Sequence, residues 1–250
     1  SPNHGTISLD GNTLFDSDQN TNVPPQKRRL GYVFQDARLF PHLTVESNLS
    51  YGWKRSDKPI PKHEIDHIIS ILGLNSILQR RPRGLSGGEQ QRVAIGRALI
   101  SGPDFLLLDE PLAALDAKLR KDMCIELKRI QEKVGITFIH VTHNQEEALT
   151  VADRIAIIAD GDLVEHGTAR DIYETPQTRF TAGFIGDNNL LDGKVSEINE
   201  TYLTVDLGYA KVNIPALSSM PTLGEAVSFS IRSELLSLIE SDDFNGDGWQ

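Results

Sequence analysis

The sequence predicts an α/β fold: a mostly parallel sheet covered by helices, followed by a small β-rich domain. Three observations predict it. From Leu30 to Ala152, short apolar runs of strand character alternate with stretches of helical period, the pattern of a helix-covered parallel sheet. The run Leu85 to Leu99, LSGGEQQRVAIGRAL, reads as a Gly-rich turn opening a helix. Phe105 to Pro111, FLLLDEP, reads as a buried strand tipped by two carboxylates.

Each element has its own signal. Thr6 to Leu9 alternates and meets the turn Asp10-Gly11-Asn12, so the start reads as a hairpin. Asp16 to Lys27 is polar, carries Pro24-Pro25 and reads as a loop. Leu30 to Phe34 is a short strand ending at Gln35. Leu43 to Arg83 reads as a helical insert, with a helix start at Thr44 and helical spacing at Ile65, Ile68, Ile69 and Leu72 before Gly73. Glu89 to Leu99 is a helix, and Phe105 to Asp109 a fully buried strand. Leu119, Met123, Leu127, Ile130 and Val134 form a helical stripe closed by Gly135. Ile136 to Val141 is the next strand, Gln145 to Ala152 a short helix, and Asp160-Gly161 the turn of a further hairpin. Character changes near Phe184. Leu190 to Leu207 and Val227 to Ile231 alternate without helical period, so the expected division is a first domain over 1–184 and a small β domain over 185–250. Ile239 to Gln250 reads as an acidic tail.

Composition narrows the function. The 250 residues carry a net charge of −10, which argues against general binding to nucleic acid or to an anionic membrane. Cys124 is the single cysteine, which excludes an internal disulfide and a cysteine metal cluster, and it reads as a packing residue in a helix. No apolar run approaches the roughly 18 residues that suggest a membrane span. With no signal-peptide pattern, the expected location is the cytoplasm, with membrane association through a partner. The chain opens Ser-Pro-Asn, and a fragment is expected.

Several residues could carry chemistry. Ser86, Gly87 and Gly88 stand at a helix start, where free N–H groups and the helix dipole favour an anion and glycines allow its close approach. The plainer reading is a Ser86 cap with Glu89 in a loose capping pattern. Asp109 and Glu110 sit at a strand end, where parallel sheets bind ligands. Alone they could be two solvated acids, and Gln35 alone a polar strand cap. His143 follows a strand and opens a helix at Asn144. His140, three residues earlier, reads as a strand residue with no catalytic role. Asp116 precedes a helix that it can cap.

Taken together, LSGGEQQR, FLLLDEP, Gln35, Asp116 and His143 resemble, in order, the motifs of the ATP-binding subunits of ABC transporters, over about Gly5 to Phe184. The resemblance implies a P-loop NTPase-like ATPase domain that binds ATP and Mg²⁺. It implies that Ser86, Gly87, Gly88 and Gln90 form the signature contacting ATP held by a second subunit, and that Asp116 crosses the dimer interface. It implies Asp109 and Gln35 as the metal-side residues, Glu110 as general base, and His143 as the switch residue on the γ-phosphate. Ala37 to His42 resembles the segment that receives a membrane subunit, and simple anchoring of Leu39 and Phe40 to the core is an equal reading. The β-rich end, with Ile231-Arg232-Ser233-Glu234, resembles the oligonucleotide/oligosaccharide-binding-like (TOBE) domain of the importer branch.

The expected assembly is therefore a homodimer of ATPase subunits on the cytoplasmic face of two transmembrane permease subunits, served by an external solute-binding protein. Gly31 to His42 resembles molybdate-type importers. Ile172 to Leu191 is closer to polyamine importers, so spermidine or putrescine is the expected solute, with molybdate and ferric ion as rivals. Two other classes compete with this one: a soluble ABC-type ATPase acting on nucleic acid or ribosomes, and a regulatory protein without hydrolysis. One departure stands out. G-x-x-x-x-G-K-[ST], the phosphate-cradling loop, occurs nowhere in the 250 residues. The expectation is an N-terminal Walker A segment lacking from this stretch, which by itself should then be inactive.

Overall fold

The computed structural model describes residues 2–54, 59–113, 115–215 and 220–235, so the expected acidic tail lies outside the described residues. The chain divides into two compact units, Ser1–Ala152 and Asp153–Gln250. The change of composition near Phe184 falls inside the second unit, so composition and packing change at different places.

The first unit opens with an antiparallel sheet of β1 (Thr6–Leu9), β2 (Asn12–Asp16) and β3 (Thr21–Asn22). Asp10 and Gly11 both take left-handed backbone, φ 48° and 79°, which suits the tight turn between β1 and β2. The main sheet follows as β4 (Leu30–Val33), β5 (Phe105–Asp109) and β6 (Thr137–Val141), all parallel and in that order. Its register sets Leu107 between Tyr32 and Ile139, and Leu108 between Val33 and His140. All three strands therefore end along one edge.

The helical insert is present as α1 (Val45–Trp53) and α2 (Lys62–Ile71), and Gly73 closes α2 at φ 63°. Then come α3 (Gly87–Ile100), α4 (Ala117–Val134) and α5 (Gln145–Val151). Leu49, Leu72, Leu74, Ile95, Leu106, Leu108, Leu127 and Ile130 all belong to one buried cluster, which joins the insert, α3, α4 and the sheet. The stripe on α4 buries Met123, Leu127 and Ile130 and brings Cys124 inside, and burial pushes its thiol up to about 11. Gly135 ends α4 in left-handed backbone.

Complete burial of Phe105–Asp109 holds for one face only. Leu106 and Leu108 are fully buried, while Leu107 and Asp109 on the other face are half-buried. Tyr32, Ile139 and Val141, on that same face, are 38%, 44% and 49% exposed. Apolar character on both faces reads as burial in a sequence, although here, among the described residues, one face is fully covered and the other only at Phe105.

The second unit begins with the expected hairpin, β7 (Arg154–Ala159) and β8 (Asp162–Thr168), turned by Asp160 and Gly161 at φ 53° and 90°. Two short helices, α6 (Ala169–Glu174) and α7 (Arg179–Phe184), were not anticipated. Their signals are caps rather than periodicity. Thr168 and Asp171 form a capping box, and Thr178 accepts from the Thr181 amide. The β-rich end is a four-stranded antiparallel sheet in the order β11 (Lys211–Pro215), β10 (Tyr202–Asp206), β9 (Asn188–Ile198), β12 (Ala226–Arg232). Val195, Leu203 and Val205 form its small core. Arg179 pairs with Asp192, and Arg232 lies over the Tyr173 ring at 3.9 Å while donating to the carbonyls of Tyr173 and Ile185. These bonds join α6 and α7 to the sheet, which is why contacts do not divide at Phe184.

The first unit packs closely at Gly96 of α3. A Cβ there would stand 2.7 Å from Leu49 Cδ2 and 2.9 Å from Leu72 Cδ1, and both leucines are fully buried and cannot swing away. Helix propensity alone would favour alanine over glycine by about 1 kcal/mol. Overpacking a dense core costs about 1–3 kcal/mol, and more with a branched side chain. Gly96→Val is therefore expected to destabilise the first unit by about 2–3 kcal/mol, read from the urea midpoint of the full-length protein.

Candidate functional site

The parallel ladder brings three loops together. Gln35 lies just beyond β4, Asp109 and Glu110 end β5, and Thr142 and His143 follow β6. Open parallel sheets bind ligands at the C-terminal edge of their strands, and this is that edge. Glu110 takes left-handed backbone, φ 44°, and its amide donates to the Val141 carbonyl at 2.9 Å. A non-glycine residue there costs about 1–3 kcal/mol, a strain met chiefly at functional sites. Glu110 Oε1 stands 3.1 Å from His143 Nδ1, within hydrogen-bond distance. The His143 side chain is 75% exposed and Glu110 32%, so a ligand can reach both.

Asp109 has a partner that sequence reasoning missed. The Tyr32 hydroxyl donates to Asp109 Oδ2 at 2.8 Å. That bond, then burial, then the carboxylate's charge push the phenol above its ordinary range, and Arg38 opposes this weakly. The sequence carries no signal for it: the ladder register sets Tyr32 beside Leu107, and Asp109 lies two residues beyond Leu107 on the same face. The hard oxygens of Asp109 and Glu110 suit Mg²⁺. Among the described residues no group of three or more His, Cys, Asp or Glu side chains converges as a metal site. A cation at Asp109 would take its other ligands from water and phosphate oxygens, as Mg²⁺ does.

The second cluster lies at the start of α3. Ser86 caps the helix in a full capping box: its Oγ accepts from the Glu89 amide, and its own amide donates to Glu89 Oε2 at 2.7 Å. The amide and hydroxyl of Ser86 hold the Glu89 carboxyl below its usual range. Capping is therefore real here, and it leaves the amides of Gly87 and Gly88 ahead of the first internal helical bonds. A Cβ on Gly87 would meet Leu115 Cδ2 at 3.1 Å, so this turn rests against the segment before Asp116. Gln90 turns inward, donating to the carbonyls of Pro82 and Leu85, where it braces the turn. Asp116 caps α4 by accepting from the Leu119 amide at 3.0 Å. Phe40 packs against Tyr51 at 4.3 Å and under Arg97 at 5.2 Å, and Leu39 packs against the main core, so anchoring is one role of both.

Comparison with known proteins decides the family. A family model described as "ABC transporter" matches residues 1–113. The solved dimer of the ATP-binding cassette MJ0796, in a post-hydrolysis state bound to ADP and Pi, superposes with a TM-score of 0.53 at 30% identity, over 68% of this chain and 75% of that one. The chain belongs to the ATP-binding cassette family. Within it, the spermidine/putrescine import ATP-binding protein PotA of Thermobifida fusca (strain YX) is 45% identical over 244 residues, which cover 95% of this chain and 60% of that protein. PotA of Marinobacter nauticus (strain ATCC 700491 / DSM 11845 / VT8) is 40% identical over 248 residues, 98% of this chain and 65% of that protein. The chain thus spans under two thirds of the length of these curated relatives.

The Tyr32–Asp109 bond is open to a direct test. Tyr32 should ionise at higher pH than a free phenol, and Asp109→Ala should return it to the ordinary range. Ultraviolet difference titration, with Tyr32→Phe to assign the signal, measures both.

Proposed function

We propose that this chain forms the ATP-hydrolysing part of an import ATPase subunit that drives polyamine uptake. The observation that carries the reading is the Glu110–His143 contact, 3.1 Å, beside Asp109 on the edge shared by three parallel strands. Identity of 40% and 45% to two polyamine-import ATP-binding proteins supports spermidine or putrescine as the solute.

In this reading Glu110 is the general base. It accepts a proton from the attacking water as that oxygen bonds to the γ-phosphorus and the bond to the ADP oxygen breaks. His143 orients Glu110 through their shared hydrogen bond and presents its other ring nitrogen to the γ-phosphate. Asp109 holds Mg²⁺, which when bound offsets phosphate charge, and Gln35 approaches from the neighbouring strand end. The start of α3, where Ser86 and Gly87 are exposed and Gly88 is buried behind them, meets the nucleotide of a second subunit, and Asp116 lies in that interface. We place the phosphate cradle outside these 250 residues, which contain no G-x-x-x-x-G-K-[ST]. The working assembly is then a dimer of these subunits on a membrane permease with an external solute-binding protein, and its β-rich end is the small TOBE-like domain. Among the described residues no helix is long and apolar enough to cross a membrane.

The reading is tested in the full-length protein reconstituted with its permease in proteoliposomes. Glu110→Gln should lower phosphate release by about 10²–10⁴-fold while ATP binding persists. Near-normal release would remove Glu110 as base. Labelled spermidine should be taken up with ATP inside, and uptake of molybdate or ferric ion instead would replace the solute and leave the ATPase reading standing.

A further inference from the structure

Beneath the exposed Glu110–His143 pair runs a buried polar seam between α4 and α5. Its centre is Glu147, only 3% exposed. Glu147 Oε2 accepts from the Thr142 hydroxyl at 2.7 Å. Its Oε1 lies 3.5 Å from Arg120 Nε, an ion pair held by charge rather than by a hydrogen bond. Arg120 reaches the other way, donating from Nη2 to the Leu115 carbonyl at 2.8 Å. The ring of His140 packs against the same carboxylate, 3.5 Å from Oε2, and burial disfavours its charged form.

The positions of these contacts in the chain carry the inference. Leu115 immediately precedes Asp116, and Thr142 immediately precedes His143. Thr142 Oγ1 also accepts from the Asn144 amide at 3.0 Å, so it shapes the turn that presents His143. Asn144 in turn caps α5 by accepting from the Glu147 amide. One guanidinium and one carboxylate thus bridge the backbone before Asp116 to the backbone around His143. A cavity of about 40 Å³, lined by Glu110, Arg120, Thr142, His143 and Glu147 among others, lies directly above the bridge. Arg120 is half-buried, but burying the Glu147 charge costs free energy that apolar packing would not, so a role in stability alone explains it poorly.

We propose that Arg120 and Glu147 are positioning residues that lock the Asp116 loop to the His143 loop within one subunit. A shift imposed on either loop is then passed to the other through Leu115, Arg120, Glu147 and Thr142. The catalytic consequence rests on the function proposed above, whereas the mechanical link does not.

Hydrogen exchange on the full-length protein tests the link directly. Arg120→Leu cuts the bond at Leu115, yet it should also speed amide exchange at residues 142–144 by about fivefold, the change one hydrogen bond makes. Thr142→Val cuts the bond at the opposite end and should likewise speed exchange at 115–117, while Thr142→Ser should restore it. Faster exchange confined to the mutated loop, or spread evenly over the chain with a lower Tm, would overturn the proposal. In ATP turnover each variant should lower kcat with KM for ATP unchanged within about twofold, and the double variant should lose no more than the worse single one, as members of one chain do. Independent, multiplying losses would overturn it. Reciprocal exchange effects in a protein without ATP turnover would uphold the link and overturn the functional reading instead.

Discussion

The parallel ladder of β4, β5 and β6 is the constraint on which the rest depends. Its bonds place Val33, Leu108 and His140 in one row and Leu106 between Gly31 and Phe138 two residues earlier on the same face. Because the strands run the same way and end together, three separate sequence segments deliver their polar residues to one edge. A shift of one residue in any strand would move its buried row to the open face. The fully buried Leu106 and Leu108, pressed on the helical layer, hold the register against that shift. The 3.1 Å separation of Glu110 and His143 follows from this register, and the bond from the Glu110 amide to Val141 extends it one residue beyond the strand.

Around that edge, local structure and function share the same atoms. Ser86 and Asp116 both cap helices, and both are residues we propose to meet a second subunit. A cap is not a competitor to such a role. It fixes the backbone so that the remaining amides point in a set direction, and preorganised donors cost less to bring to bear on a charge. The same economy applies at Glu147, whose backbone amide is capped by Asn144 and whose side chain braces Thr142. Gly87 against Leu115 adds an apolar contact between the start of α3 and the segment that Arg120 also grips.

The second unit is organised on different terms. Its four-stranded sheet buries few large side chains, with Val195, Leu203 and Val205 as the centre. Polar clamps supplement that core: Arg179 with Asp192 and Ser228, Tyr173 with Glu234, and Arg232 across Tyr173. These groups are largely exposed, so water and salt screen them, and they set geometry more than stability.

The division of labour between sequence and tertiary structure follows from the range of each interaction. Turns, caps and apolar periods act within a few residues. The hairpins at Asp10-Gly11 and Asp160-Gly161, the caps at Ser86 and Asp116, the stripe and Gly stop of α4, and the acid-tipped strand were accordingly all legible in the chain. The motif order was legible too, and with it the family. Long-range proximity was not. Nothing local links Tyr32 to Asp109, 77 residues apart, or shows that one face of an all-apolar strand stays open. The short helices α6 and α7 escaped because a six-residue helix has too few turns to display a period, leaving only its caps as a signal. Nothing in the sequence marks the seam through Arg120 and Glu147, which stand 27 residues apart on separate helices. Only the packing of α4 against α5 buries Glu147 and half-buries Arg120, and burial is what makes a polar group seek a specific partner.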